Sequence, residues 1–277
     1  MIREIRKKMQ TAGVEAYVVS HGNRFLGQDV LPQEHKLKAL CGFTGSAGIA
    51  VITQDEAFLL VDGRYELQAR LETNADEITV VDEMPRFKSV CDLLRQKNIA
   101  SVGYDAWCHS IAETEYLKRR YREMRFVDVG ELMPPAPVRP IEVMQREERF
   151  AGQGRAEKLA LITEILHEQN VDACLITSAD SVSWLLNIYA RDLPCTPIVR
   201  AYALIEADGG VTLFADNLIT DLPVKSWAEL AAFLQNTGGR KIMFDAHTAP
   251  EKIKTMTAED TFLQKAPDMC ALMKTEK

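Results

Sequence analysis

The sequence predicts an α/β protein built from two tandem, duplicated units, and three observations carry that expectation. A helix-then-strand pattern at the amino terminus returns with a constant offset of 157 residues, so that Val14 corresponds to Val171. Apolar runs of strand length alternate with amphipathic helical patterns in both halves. Between the halves lies Met133-Pro134-Pro135-Ala136-Pro137-Val138-Arg139-Pro140, whose prolines can continue neither a helix nor a central strand. These observations divide the chain into a first domain over 1–133, a proline-rich linker and charged segment over 134–149, and a second domain over 150–277.

The elements follow in order. Ile2, Ile5, Met9 and Ala12 recur at helical spacing, and Gly13 closes that helix as a left-handed terminator. Val14–Ser20 then reads as a strand. In the second half Leu159, Ile162 and Leu166 mark the helix, Asn170 closes it, and Val171–Thr177 is the strand. Gly48–Ile52 and Ala57–Val61 are apolar runs separated by a hairpin-sized gap at Gln54-Asp55-Glu56. Their counterparts are Ala201–Ile205 and Thr212–Asp216. Past Pro85, the residues Phe87, Val90, Leu93 and Leu94 share one helix face, and Ala100–Tyr104 is a strand. Gly103-Tyr104-Asp105-Ala106 is echoed by Met243-Phe244-Asp245-Ala246. Ser110-Ile111-Ala112-Glu113 has the spacing of a reciprocal capping box.

Composition narrows the function. Apolar residues form 47% of the 277 and charged residues 26%, as expected for a chain with a substantial core. A formal net charge of −7 argues against nucleic-acid and membrane-surface partners, which require a basic face. The cluster Lys118, Arg119, Arg120, Arg122 and Arg125 is interleaved with acids and reads as a solvated helix face. Six scattered cysteines without a Cys-x-x-Cys pair argue against a thiolate zinc site and suit a reducing compartment. The amino terminus has no signal-peptide pattern and no apolar run is long enough to span a bilayer, so the expected location is the cytoplasm.

The most informative stretch is Gly42-Phe43-Thr44-Gly45-Ser46-Ala47-Gly48, continuing through two strands to Asp62-Gly63-Arg64-Tyr65. A phosphate-binding loop would place a helix after the glycines; here a strand follows, which excludes that reading. The stretch resembles the amino-terminal region of the X-Pro aminopeptidases, relatives of prolidase and creatinase. The second half carries the resemblance further. Phe150-Ala151-Gly152-Gln153 matches the start of the family's second domain. Ser181-Val182-Ser183-Trp184-Leu185-Leu186-Asn187-Ile188 is similar to the motif Asp-Ser-Ile-Ala-Trp-Leu-Leu-Asn-Ile-Arg-Gly, departing from it at Tyr189-Ala190. The resemblance implies two creatinase N-terminal-like domains, each a mixed sheet flanked by helices. It implies an intact enzyme that removes an N-terminal residue preceding proline, using a dinuclear metal centre, commonly manganese, in a later domain. Substrate restriction and homo-oligomer contacts are the roles it implies for these two domains. A free-standing peptide- or protein-binding module on the same fold is the alternative.

No catalytic or metal-binding residue is expected within the chain. His21, His35, His109, His167 and His247 are never spaced as ligand pairs, and His-Glu-x-x-His is absent. Cys108-His109 is a neighbouring pair for which the sequence offers no orienting third group. Thr44-Gly45-Ser46-Ala47-Gly48 lacks both the spacing and the following helix of a nucleophile elbow. Arg64, with Asp62 and Ser46, is the candidate for a substrate or partner groove. Its simplest expected role is a structural ion pair, with Asp62 at the turn into a helix or with an acidic group of the adjoining domain.

Overall fold

The computed structural model describes residues 1–27, 29–134 and 139–274. The chain divides into two units, 1–137 and 138–277. The first runs α1 (Ile2–Ala12), β1 (Ala16–Ser20), a 3-10 turn (Pro32–Glu34), α2 (Lys36–Cys41), β2 (Ile49–Thr53), β3 (Ala57–Val61), α3 (Glu66–Glu72), β4 (Thr79–Asp82), α4 (Phe87–Gln96), β5 (Ser101–Tyr104), α5 (Ile111–Arg120) and β6 (Arg125–Asp128). The second begins with β7 (Ile141–Glu142), β8 (Met144–Gln145), α6 (Glu148–Ala151), α7 (Arg155–Glu168), β9 (Ala173–Ile176), α8 (Ala179–Leu186), β10 (Ile188–Tyr189) and β11 (Tyr202–Glu206). It continues with β12 (Val211–Phe214), β13 (Leu218–Ile219), β14 (Val224–Lys225), α9 (Trp227–Gln235), β15 (Lys241–Phe244), α10 (Glu251–Met256), β16 (Phe262–Lys265) and α11 (Met269–Met273).

Each unit holds one six-stranded mixed sheet. The orders are β4-β3-β2-β1-β5-β6 and β14-β12-β11-β9-β15-β16, so equivalent strands occupy equivalent places. The pairing senses also agree. β1 is antiparallel to β2 and parallel to β5, as β9 is antiparallel to β11 and parallel to β15. Both outer pairs, β3–β4 and β12–β14, are parallel.

The strands β1 and β9 are each shorter than the apolar run that contains them, for one reason in both copies. The residue after the left-handed terminator is spent on closing the preceding helix: the Val14 amide donates to the Met9 carbonyl at 3.1 Å, and Val171 to Leu166 at 2.9 Å. Gly13 and Asn170 stand at φ 65° and 51°, the conformation such helix ends require. Alternation along β1 then sends Tyr17 and Val19 to one face, with Ile5, Met9, Leu37 and Phe43. Ala16 and Val18 go to the other, with Phe87, Val90, Leu94 and Leu117. Helices cover both faces, which is why β2 and β3 are buried at every residue rather than at every second one.

The stretch 134–149, read as linker from its prolines and charges, is only partly so. Residues 135–138 lie outside the described residues, but beyond them β7 pairs with β13 and β8 with β10, inside the second unit. Ile141 and Val143 pack against that unit's core, so their apolar side chains draw this segment into the fold. The basic residues Lys118, Arg119, Arg120, Arg122 and Arg125 are exposed, as expected of a solvated face.

Candidate functional site: a cavity of the first unit

The glycine-rich loop is built for packing. Gly42 ends α2 at φ 88° and approaches the Glu72 carbonyl so closely that a Cβ would lie 2.8 Å from its oxygen. A Cβ on Gly45 would lie 2.3 Å from Phe43 Cζ and 2.8 Å from Tyr65 Cδ1. The Thr44 amide and hydroxyl both donate to the Glu72 carboxylate, at 2.8 and 2.7 Å. The loop is thereby tied to α3 before it enters β2.

Beyond that tie, Ser46, Asp62 and Arg64 line one cavity of about 350 Å³. The Ser46 hydroxyl lies 2.7 Å from the Tyr65 hydroxyl. Arg64 grips Asp62 in bidentate fashion, Nε to Oδ1 at 2.9 Å and Nη2 to Oδ2 at 2.7 Å, and its amide also donates to Oδ1 at 3.1 Å. The side-chain hydrogen bonds from Arg64 hold the Asp62 carboxyl below its usual range. The Arg64 side chain remains 76% exposed, so the pair contributes little to stability and leaves a guanidinium at the rim of the cavity.

The same cavity is lined by Ser20, His109 and Glu113, which were not singled out from the sequence as a group. Ser20 Oγ lies 2.8 Å from His109 Nε2, and His109 Nδ1 lies 2.9 Å from Glu113 Oε2. The third group that the sequence did not offer His109 is therefore present. Part of it was legible. His109 and Glu113 are four residues apart across the first turn of α5, a spacing that brings side chains together. The capping box at Ser110 forms only by half: Ser110 Oγ accepts the Glu113 amide at 3.1 Å, while the Glu113 carboxylate turns to His109. Ser20 is 89 residues distant and is supplied by the end of β1.

Cys108 takes no part in this chain. Its thiol lies 3.4 Å from Asp105 Oδ2 and accepts from Lys36 Nζ at 3.1 Å. Burial pushes the thiol up to about 12, so it is neutral at ordinary pH and no nucleophile. Asp105, Cys108 and Glu131 bring ligand-type atoms within 4.8 Å of one another. The Lys36 ammonium, 2.5 Å from Glu131, already serves as their cation. One thiol, two carboxylates and a resident lysine do not fit a dinuclear centre of carboxylates and histidine.

In the second unit the Trp-Leu-Leu-Asn motif forms α8, with Asn187 closing it at φ 52°. Lys158, fully buried, donates to the Trp184 carbonyl and to Asn187 Oδ1, both at 2.7 Å, and sits 4.2 Å over the Trp184 ring. Trp184 and Asn187 line a cavity of about 290 Å³ together with Arg146 and Phe150. Tyr189, standing where the motif carries arginine, is flanked by the guanidinium groups of Arg146 and Arg191. Nothing in the structure explains why Ala190 replaces the motif's glycine.

A duplicated mixed-sheet unit with this loop-hairpin-turn signature defines a class of amino-terminal α/β domain. The chain belongs to the creatinase/prolidase N-terminal domain family, which matches residues 1–135 and, through a second description of the same domain, 133–277. It is 31% identical over 228 residues to Aminopeptidase P1 of Lotus japonicus, covering 78% of this chain and 34% of that protein. It is 26% identical over 282 residues to Xaa-Pro aminopeptidase 1 of Dictyostelium discoideum, covering 90% of this chain and 44% of that protein. In three dimensions it resembles the X-prolyl aminopeptidase of Caenorhabditis elegans, a cytosolic enzyme with a di-nuclear active site. The TM-score is 0.82 at 19% identity, covering 98% of this chain and 50% of that one. The chain thus spans between a third and half of the length of these proteins. Among the described residues, no helix is long and apolar enough to cross a membrane.

Proposed function

We propose that this chain supplies the two amino-terminal domains of a cytoplasmic X-Pro aminopeptidase, an enzyme that removes an N-terminal residue preceding proline. The observation that carries this reading is the tandem: both units match the family, in one order, along relatives that are X-Pro aminopeptidases. Peptide cleavage would belong to a further part of the enzyme, with a dinuclear metal centre, commonly manganese. The domains here would restrict the size of the peptide and supply contacts for a homo-oligomer. Within the first unit, the cavity edged by Ser46, Asp62 and Arg64 is the surface we assign to peptide or to a partner's catalytic domain. An exposed guanidinium fixed by a bidentate carboxylate is suited to meet an acidic group without reorganising.

Arg64→Ala in the complete enzyme tests the groove. Because the Arg64 guanidinium is largely exposed, the melting temperature should hold while KM for X-Pro peptides rises or the oligomer weakens. A lowered melting temperature with KM and assembly unchanged would make Arg64 a structural residue only.

A further inference from the structure

We propose that Ser20, His109 and Glu113 form a nucleophilic site for small carboxylic esters in the cavity of the first unit, an activity that does not rest on the peptidase reading. Ser20 Oγ, His109 Nε2 and Glu113 Oε2 are joined end to end by contacts of 2.8 and 2.9 Å. That is the connectivity of an activated serine: nucleophile to base, base to an orienting carboxylate. The carboxylate decides the tautomer. An ionised Glu113 can only accept, so His109 carries its proton on Nδ1 and Nε2 is left to accept from the Ser20 hydroxyl.

The alternative, that the three groups merely satisfy a buried histidine, is weakened by the second copy of the fold. The residues after β5 and β15 correspond at a constant offset, Asp105 to Asp245, and both aspartates cap the same turn by accepting the amide two residues on. On that correspondence His109 is matched by Ala249 and Glu113 by Ile253, both buried, and Ser20 by Thr177, which bonds to Thr248 instead. The fold closes there with an alanine and an isoleucine. The cavity lined by Thr177, Asp245 and Thr248 holds about 10 Å³, against about 350 Å³ in the first unit. The polar chain and the space beside it occur together, and the architecture requires neither.

Ser20 Oγ bonds to the ester carbonyl carbon as its proton passes to His109 Nε2, and Glu113 stabilises the imidazolium. Collapse breaks the bond to the leaving oxygen, which takes that proton and departs as the alcohol. Water then adds to the acyl group on Ser20, giving its proton to His109, and the carboxylic acid leaves as Ser20 recovers the proton. Phe87, whose ring lies 4.5 Å from that of His109, walls the base with an apolar face, and the volume admits a short acyl group.

A serine-directed phosphonate with a p-nitrophenyl leaving group tests this on the whole chain, with the labelled residue mapped by mass spectrometry after digestion. One adduct on Ser20 is expected, lost in Ser20→Ala and in His109→Gln. Glu113 is half-buried in the first turn of α5, and Glu113→Gln keeps its shape and should slow labelling about a hundredfold, the scale of a disabled base. No adduct on the wild-type chain, an adduct on another residue, or labelling of Glu113→Gln at the wild-type rate would each overturn the proposal. Should His109→Gln fail to fold, the Glu113→Gln rate and the mapped position still decide.

Discussion

Gly45→Ala isolates what the glycine loop is for. The added methyl would meet Phe43 Cζ at 2.3 Å and Cε2 at 2.8 Å, and Tyr65 Cδ1 at 2.8 Å. Phe43 is 1% exposed and packed among Leu37, Leu40 and Val61, so its ring has no room to withdraw. Overpacking of this kind costs about 1–3 kcal/mol. Unfolding entropy near the melting point is about 2.1 cal/mol/K per residue. For the 137 residues of the first unit that amounts to about 0.3 kcal/mol/K, so a 2 kcal/mol loss lowers its melting temperature by about 7 °C. If both units melt in one transition, the shift is about half as large. Calorimetry of the whole chain reads either outcome. Phe43→Leu removes two of the three close contacts and leaves that to Tyr65, so the alanine should cost less in that background, a coupling that a double-mutant cycle measures. A shift below about 1 °C in the single variant would refute the packing account.

Three other perturbations have definite expectations. Tyr121 donates to Asp92 Oδ1 at 2.6 Å and Lys88 to Oδ2 at 2.5 Å. Burial works against the Asp92 charge, but these two donors outweigh it and hold the carboxyl below its ordinary 3.8. Tyr121→Phe should lose about 1 kcal/mol, discounted because Asp92 is partly solvated. A depressed carboxylate stabilises above its unfolded value and loses that contribution as pH falls through the folded one, so the deficit should be full near about pH 6 in urea melts and shrink below about pH 4. A deficit that grows on acidification would contradict this network. Elemental analysis after desalting should find no stoichiometric manganese or zinc, since Lys36 is the cation of the Asp105–Cys108–Glu131 cluster; one zinc per chain would show that lysine displaced. Limited digestion with a broad-specificity protease should cut first within 133–140, at the domain boundary we place there, and first cuts inside 42–65 would remove that boundary.

Much of the architecture was legible because its signals are local. Periodicity marked α1 and α7, Gly13 and Asn170 ended them, and the paired apolar runs foretold the β2–β3 hairpin. The 157-residue echo foretold two copies of one sheet, and a shared strand order is what such an echo produces when the same residues face the same neighbours. Asp62 and Arg64 are two residues apart, so their ion pair could be read from the turn that holds them. Strand pairing decided the rest. The proline-rich stretch ran on into 141–145, where apolar Ile141 and Val143 had a core to join that no local rule displays. Glu113 had two partners within reach at the start of α5, the Ser110 amide and the His109 ring, and its carboxylate takes the ring. Ser20 reaches His109 because β1 and β5 lie side by side in parallel, a contact across 89 residues that local sequence rules do not display.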